Sequence, residues 1–192
     1  MELLIGTILP FAGPIFHKDE RDEYKEVDDE LFETGCNNAQ YLANNGCLPC
    51  NGRKISRSNQ QLKELYNVIL YIWGSENVGN FYRIPDMRGL FLRGVSGNSG
   101  RDTGGQRISL YSGGASGNMV GSYQNEHLFE YNAAKGSPHQ STHAADHHPG
   151  VGIAYLHNHA GIENRPKNVY VNYIIKASSE KIDLDNLYHD EE

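Results

Sequence analysis

Ten of the chain's 21 glycines fall between residues 89 and 122, at positions 89, 94, 97, 100, 104, 105, 113, 114, 117 and 121, with Ser and Asn between them. Glycine this dense carries no apolar periodicity, and ordering it costs more backbone entropy than ordering any other residue. Such a stretch is either a flexible linker or backbone packed closely against other chains. The remainder leaves little slack, because only 38% of the 192 residues are apolar. A core is expected, but not a generous one, in one or two small domains. GGxGxG-like fragments invite a phosphate-loop reading. Gly-Lys-Ser/Thr is absent, however, and no strand-then-helix context surrounds them.

Charge is unevenly placed. Residues 17–33 hold nine acids against Lys18, Arg21 and Lys25, a net of −6, and residues 178–192 hold six acids against Lys181, a net of −5. The whole chain is −7, so the rest carries +4. Acid-rich runs of this kind are expected to be solvated loops or tails. The balance argues against nucleic acid as a partner. The start shows neither a basic run nor a long apolar stretch, and no window approaches a membrane span. The expected product is a soluble cytosolic one, made without a signal peptide. Cys36, Cys47 and Cys50 cannot all pair within one chain. Cys47-Leu48-Pro49-Cys50 has CxxC spacing, but Asn44-Asn45-Gly46 before it and Asn51-Gly52 after it are turn-like, which suits neither a redox helix nor a four-thiolate zinc site. Inert or loosely paired thiols are expected.

Residues 5–11 read as a short strand ended by Gly13-Pro14, followed by the acidic segment and a turn-rich stretch through Asn51-Gly52. Ser58 opens the clearest helix, with Ser58-x-x-Gln61 matching a capping box. Leu62, Leu65, Tyr66, Ile69, Ile72 and Trp73 recur at helical spacing and Gly74 supplies the stop. Residues 81–84 form a strand closed by Pro85-Asp86. Residues 169–177 alternate cleanly, Val169, Val171, Tyr173 and Ile175 on one face against Tyr170, Asn172, Ile174 and Lys176 on the other, the pattern of a half-buried strand. Seven of the nine histidines lie within 127–159. Pro138, Pro149 and nearby glycines make that region loop-like, which makes His139, His143, His147 and Tyr155 candidates for binding contacts. His157-Asn158-His159 puts two imidazoles on one face of a strand. The letters do not make an HNH nuclease, whose residues are widely spaced on a ββα metal fold.

Two stretches together resemble phage tail-collar and tail-fibre tip proteins. The first runs from Ile5-Gly6-Thr7-Ile8-Leu9-Pro10-Phe11-Ala12-Gly13 through Cys50-Asn51-Gly52 to Phe81-Tyr82-Arg83-Ile84-Pro85-Asp86-Met87-Arg88-Gly89-Leu90-Phe91-Leu92-Arg93-Gly94. The second is Glu163-Asn164-Arg165-Pro166-Lys167-Asn168-Val169-Tyr170-Val171-Asn172-Tyr173-Ile174-Ile175-Lys176-Ala177, similar to the ending of many fibre tips. The chain departs from the pattern in the long segment before Cys50-Asn51-Gly52, in Gly46-Cys47 where Gly-Trp is customary, and in a displaced His-x-His after Gly121-Ser122-x-Gln124.

The resemblance implies an α+β, mostly β fold. A small collar-type domain with one clear helix is followed by a Gly/His-rich intertwined β fibre tip, as a homotrimer. The expected division is 1–95 collar-like with an acidic insertion at 17–46, 96–122 connector, 123–177 receptor-binding tip and 178–192 acidic tail. Pro85, Asp86, Arg88 and Gly89 are read as structural, proline fixing the turn, Asp86 accepting backbone donors or pairing with Arg88, and Gly89 permitting the reversal. Arg165, Pro166 and Asn168 belong to the ending motif. On a three-fold axis, His157 and His159 of three copies supply six nitrogens, a set suited to an octahedral zinc or iron ion. The implied function is a non-catalytic adhesive tip on a virion tail or an extracellular injection particle. Its partners would be itself, other tail or baseplate proteins and a bacterial surface glycan or protein. One alternative is a polysaccharide depolymerase, which needs a carboxylate pair about 5–10 Å apart from Asp86, Asp102, Glu126, Asp146 and Glu163. Another is a purely structural collar or assembly protein.

Overall fold

The computed structural model describes residues 3–76, 79–99, 101, 107–124 and 169–188. All of these but Val169 fall in one compact unit made of Met1–Gln124 and Tyr170–Glu192. In chain order its elements are β1 (Ile8–Phe11), α1 (Asp29–Asn44), β2 (Cys47–Pro49), β3 (Lys54–Ser56), α2 (Lys63–Ile69), β4 (Ser75–Glu76), β5 (Phe81–Arg83), β6 (Ile108–Ser109), β7 (Ser122–Tyr123), β8 (Asn172–Lys176) and α3 (Leu184–Tyr188). The fold is α+β, with one main helix and three small sheets ordered β1-β8-β2, β3-β5-β4 and β6-β7, every pairing antiparallel.

The main helix is not the one that sequence periodicity favours. It is α1, inside the stretch expected to be acidic loop and turns. Asp28 caps it, its carboxylate accepting from the Leu31 N–H at 2.8 Å, while Asp29 and Glu30 in the first turn face the positive end of the helix dipole. Phe32, Gly35, Ala39, Leu42 and Ala43 form its buried stripe. Three of these five are glycine or alanine, so the apolar pattern is faint although the spacing is helical. Gly46 ends the turn at φ +66°, where a Cβ would collide with the Ser178 carbonyl oxygen.

The helix expected from Ser58 to Gly74 is shorter than the pattern suggests. A 3-10 turn at Gln60–Leu62 leads into α2, and the cap is Asn59, whose side chain accepts from Gln61 and Leu62 N–H. Ser58 instead shares a hydrogen with the Ser56 hydroxyl at 2.8 Å. Gln61 is drawn away by a distant segment, accepting from Asp183 N–H at 2.6 Å and donating to its carbonyl at 3.4 Å. Leu62, Leu65 and Ile69 are buried as the periodicity requires. The helix stops when Leu70 takes φ +49°, four residues before Gly74.

β8 is the centre of its sheet rather than a half-buried strand. Ile175 pairs with Ile8 on one side and Leu48 on the other. It points into the main core with Leu48, Ile55, Leu62, Leu65, Tyr82 and Ile84, whereas adjacent Ile174 enters a second cluster with Leu42 and Cys47. A strand packed on both faces loses the alternation that marks a solvated one. Val169 and Tyr170, expected within the strand, precede it and are exposed.

The acid-rich C-terminal run is not a solvated tail over 178–188. Ile182, Leu184 and Leu187 belong to the main core, and Ser178 is buried. Ala177 and Ser178 donate to the Gly46 carbonyl, Ile182 donates to that of Ala43, and Ser179 donates through N–H and hydroxyl to Glu64. Aspartates and glutamates occupy the outward positions between these anchors. Ile182→Ala is expected to cost about 2–4 kcal/mol in urea unfolding. Leu4→Ala, at a side chain 80% exposed, should stay within about 0.5 kcal/mol of the parent.

Part of the glycine-rich stretch docks on its own chain. Ala115 donates to the Ile72 carbonyl at 2.7 Å and Ser75 donates to that of Ser112 at 2.9 Å. Side chains at Gly114 or Gly121 would strike the backbone of 72–74, so glycine here permits main chain to lie against main chain.

Candidate functional site

The Pro85-Asp86-Met87-Arg88-Gly89 motif sits where residues 50–56 and 81–87 run side by side. Met87 donates to the Cys50 carbonyl, Gly52 to that of Pro85, and Ile84 to that of Arg53, with a bridge between Asn51 and Asp86. Asp86 gathers donors at this junction. Arg88 grips it with Nε on Oδ1 and Nη2 on Oδ2, both at 2.8 Å, and adds its backbone N–H at 3.3 Å. The Tyr111 hydroxyl donates to Oδ2 at 2.6 Å. Burial works against the charged carboxylate, but the bonds from Arg88 and Tyr111 outweigh it and hold its pKa below the ordinary aspartate value.

A second arginine extends the network. Arg83 lies over the Tyr111 ring at 4.4 Å, donates Nη1 to the Gly52 carbonyl at 2.8 Å and pairs through Nη2 with Glu76. Gly52, at φ +74°, passes so close that a Cβ would lie 2.8 Å from both Asp86 Oδ2 and Tyr111 Oη. Glu76, Arg83, Tyr111, Asp86 and Arg88 thus form one polar knot joining the motif, β4, β5 and the glycine-rich stretch. Sequence reasoning singled out Asp86 and Arg88 and missed the other three. The available signal was Tyr111 itself, a large ring next to Ser112-Gly113-Gly114, where an aromatic has nothing nearby to pack on.

Gly89 follows in a left-handed turn at φ +70° with open space around it. The remaining expected site residues, His139, His143, His147, Tyr155, His157, His159, Arg165, Pro166 and Asn168, lie outside the described residues, as do Asp102, Glu126, Asp146 and Glu163. Among the described residues no group of three His, Cys, Asp or Glu is placed to hold a metal. No helix among them is long and apolar enough to cross a membrane. The three cysteines are free thiols. Burial raises the pKa of each, that of Cys50 to about 12, so Cys47 and Cys50 are poor nucleophiles despite their CxxC spacing.

Residues 36–92 match the phage tail collar domain. The match opens within α1 and closes just beyond the motif, so it takes in 36–46, about a third of what reads as an insertion. Over 189 residues the chain is 32% identical to Protein RhiB of Rhizobium leguminosarum bv. viciae, covering 90% of this chain and 85% of that protein. The chain belongs to the phage tail collar domain family, a class of tail-type structural proteins.

Asp86→Asn should lower stability by about 1–3 kcal/mol at pH 7, since it removes the ion pair and weakens two charge-assisted bonds, with the pair discounted for the exposure of Arg88. The folded pKa lies below the unfolded value of about 3.9. The stabilisation is therefore complete above that value and is lost as pH falls through the lowered one. Thermal melts of the two proteins should begin to converge as pH falls below about 4 and meet only below the lowered folded value.

Proposed function

We propose that this chain is the adhesive, non-catalytic end of a phage-type tail or a related injection particle. It acts as a homotrimer in which the part of residues 123–177 that precedes β8 meets a glycan or protein on a bacterial surface, β8 itself being the central strand of the collar sheet. Family membership carries the tail assignment. The observation that supports self-assembly is a run of apolar side chains on the glycine-rich part. Phe91, Leu92, Val95, Ile108, Met119 and Val120 are all exposed in the single chain. They belong to neighbouring segments, because Ser96 N–H donates to the Asn118 side chain, Arg93 donates to Gln124, and Ile108 pairs with Tyr123. Six large apolar groups grouped in this way mark an association surface rather than scattered surface residues.

Residues 125–169 leave the described unit after Gln124 and re-enter it at Tyr170, so a receptor segment there would hang from one scaffold at both ends. In a trimer, His157 and His159 of each copy would offer six imidazoles to one zinc or iron ion. The depolymerase alternative loses one of its carboxylates, because Asp86 is committed to Arg88 and Tyr111.

Native mass spectrometry with elemental analysis tests the assembly. Three chains carrying one ion are expected, and a stable monomer at all concentrations overturns the trimer. Three chains without metal overturn the axial ion alone. Replacing Leu92 and Val120 together by Asp, both exposed, should leave the monomer folded by circular dichroism and shift the assembly toward single chains. Release of reducing ends from host polysaccharide would overturn the non-catalytic reading.

A further inference from the structure

A cleft of about 120 Å³ opens between the acidic segment and the collar motif. Phe16, Glu20 and Tyr24 come from the acidic side, Asn51 and Arg88 from the collar side, and Tyr173 from β8. Aromatic faces and convergent polar groups in one concavity are the usual make-up of a small-molecule site. Its volume corresponds to roughly ten water positions, about the span of a single sugar ring. We propose that this cleft binds one uncharged pyranose unit of a glycan.

The chemistry of the lining selects that ligand. Glu20 uses Oε2 to accept from the His17 N–H at 2.8 Å, which leaves Oε1 as an acceptor. Arg88 spends Nε and Nη2 on Asp86, which leaves Nη1 as a donor. Asn51 accepts through its side-chain oxygen from Arg53 N–H, leaving the amide NH₂ as a further donor. The Tyr24 and Tyr173 hydroxyls make no hydrogen bond to other described residues and can do either. A mixed set of donors and acceptors matches hydroxyl groups, each of which needs both. An apolar ligand would strand these groups, at a cost of about 1–3 kcal/mol for each one desolvated. The guanidinium is already neutralised by Asp86, so Glu20 leaves the cleft with a negative excess that disfavours an anionic sugar.

The acidic segment is built to hold its wall in place. Phe16 and Tyr24 rings meet at 4.7 Å, Phe16 stacks on Phe32 of α1 at 5.3 Å, and Arg21 lies over Phe32 at 4.8 Å. Arg21 also donates Nη1 to the Tyr24 and Val27 carbonyls. The ring of Tyr24 is thereby fixed while its hydroxyl stays unbonded, which lowers the ordering cost of stacking on a ligand. This site lies on the collar unit, to which Tyr173 in its wall also belongs.

Saturation-transfer NMR on the full chain, with the methyl pyranosides of glucose, galactose, mannose and N-acetylglucosamine and with glucuronate, tests the proposal. At least one neutral pyranoside should bind saturably in the millimolar range, and glucuronate should not. Tyr24→Ala and the near-isosteric Glu20→Gln should each weaken binding about tenfold, while Tyr41→Ala on the exposed side of α1 leaves it unchanged. Thermal melts confirm that each variant is folded. The proposal fails if none of the neutral sugars binds. It also fails if binding survives both cleft variants, a result that would place the sugar elsewhere on the chain and leave the adhesive reading standing.

Discussion

Ile174 and Ile175 are neighbours on one strand, yet they are buried on opposite faces of its sheet, and the rest of the collar unit is arranged around that strand. β8 completes a sheet whose other two strands were made more than 120 residues earlier. Until it arrives, β1 and β2 have no common partner and both apolar clusters stand open. The segment after it then closes the core from outside through Ile182, Leu184 and Leu187. Contacts of such long sequence separation carry a large loop-closure cost before they are rewarded, so this is a fold expected to form late and cooperatively.

What could be read from the sequence divides along the range of the interaction. Strands 8–11 and 81–83 and the buried face of α2 were legible, because each depends on neighbours within a few residues. The cap of α2 was misassigned for a definite reason. Ser58 and Gln61 satisfy the capping-box pattern, but Asp183 takes both sides of the Gln61 amide from 122 positions away, and Asn59 is free to cap instead. α1 was hidden by acids that stabilise its first turn and by the glycine and alanines of its buried stripe. The C-terminal segment was hidden by interleaving, since three apolar anchors among acids look like a solvated run until their common direction is known. In the polar knot, Asp86 and Arg88 lie two residues apart and invite pairing, whereas Tyr111 is 25 positions away, beyond the reach of any local pattern.

The polar knot explains why the collar motif is charged although it lies beside a core. A buried carboxylate is costly when alone and tolerable when fully bonded. Asp86 has four donor contacts from two residues, and Tyr111 brings one of them from the glycine-rich stretch. The motif therefore fastens the following segment to the collar at a defined place, with Arg83, paired to Glu76, lying over the same ring. Hydrophobic contact could supply similar energy but not the same register, because a bidentate fork and a phenol fit in one arrangement.

This fastening changes the reason for expecting partners. Composition alone suggests that glycine-rich backbone lacks hydrogen-bond partners and must find them on other copies. Residues 111–115 instead find theirs on 72–75 of the same chain. The demand left unmet is apolar. Phe91, Leu92, Val95, Ile108, Met119 and Val120 project from backbone that is held by Tyr111, Asn118 and the 72–75 segment, and they remain in water. At about 25 cal/mol per Å² of apolar surface, burying several such side chains is a strong drive to associate. Because the backbone beneath them is already ordered, association does not have to meet that ordering cost as well. Glycine in this chain thus serves to bring one strip of backbone flat against another, and the side chains between the glycines are what is offered outward.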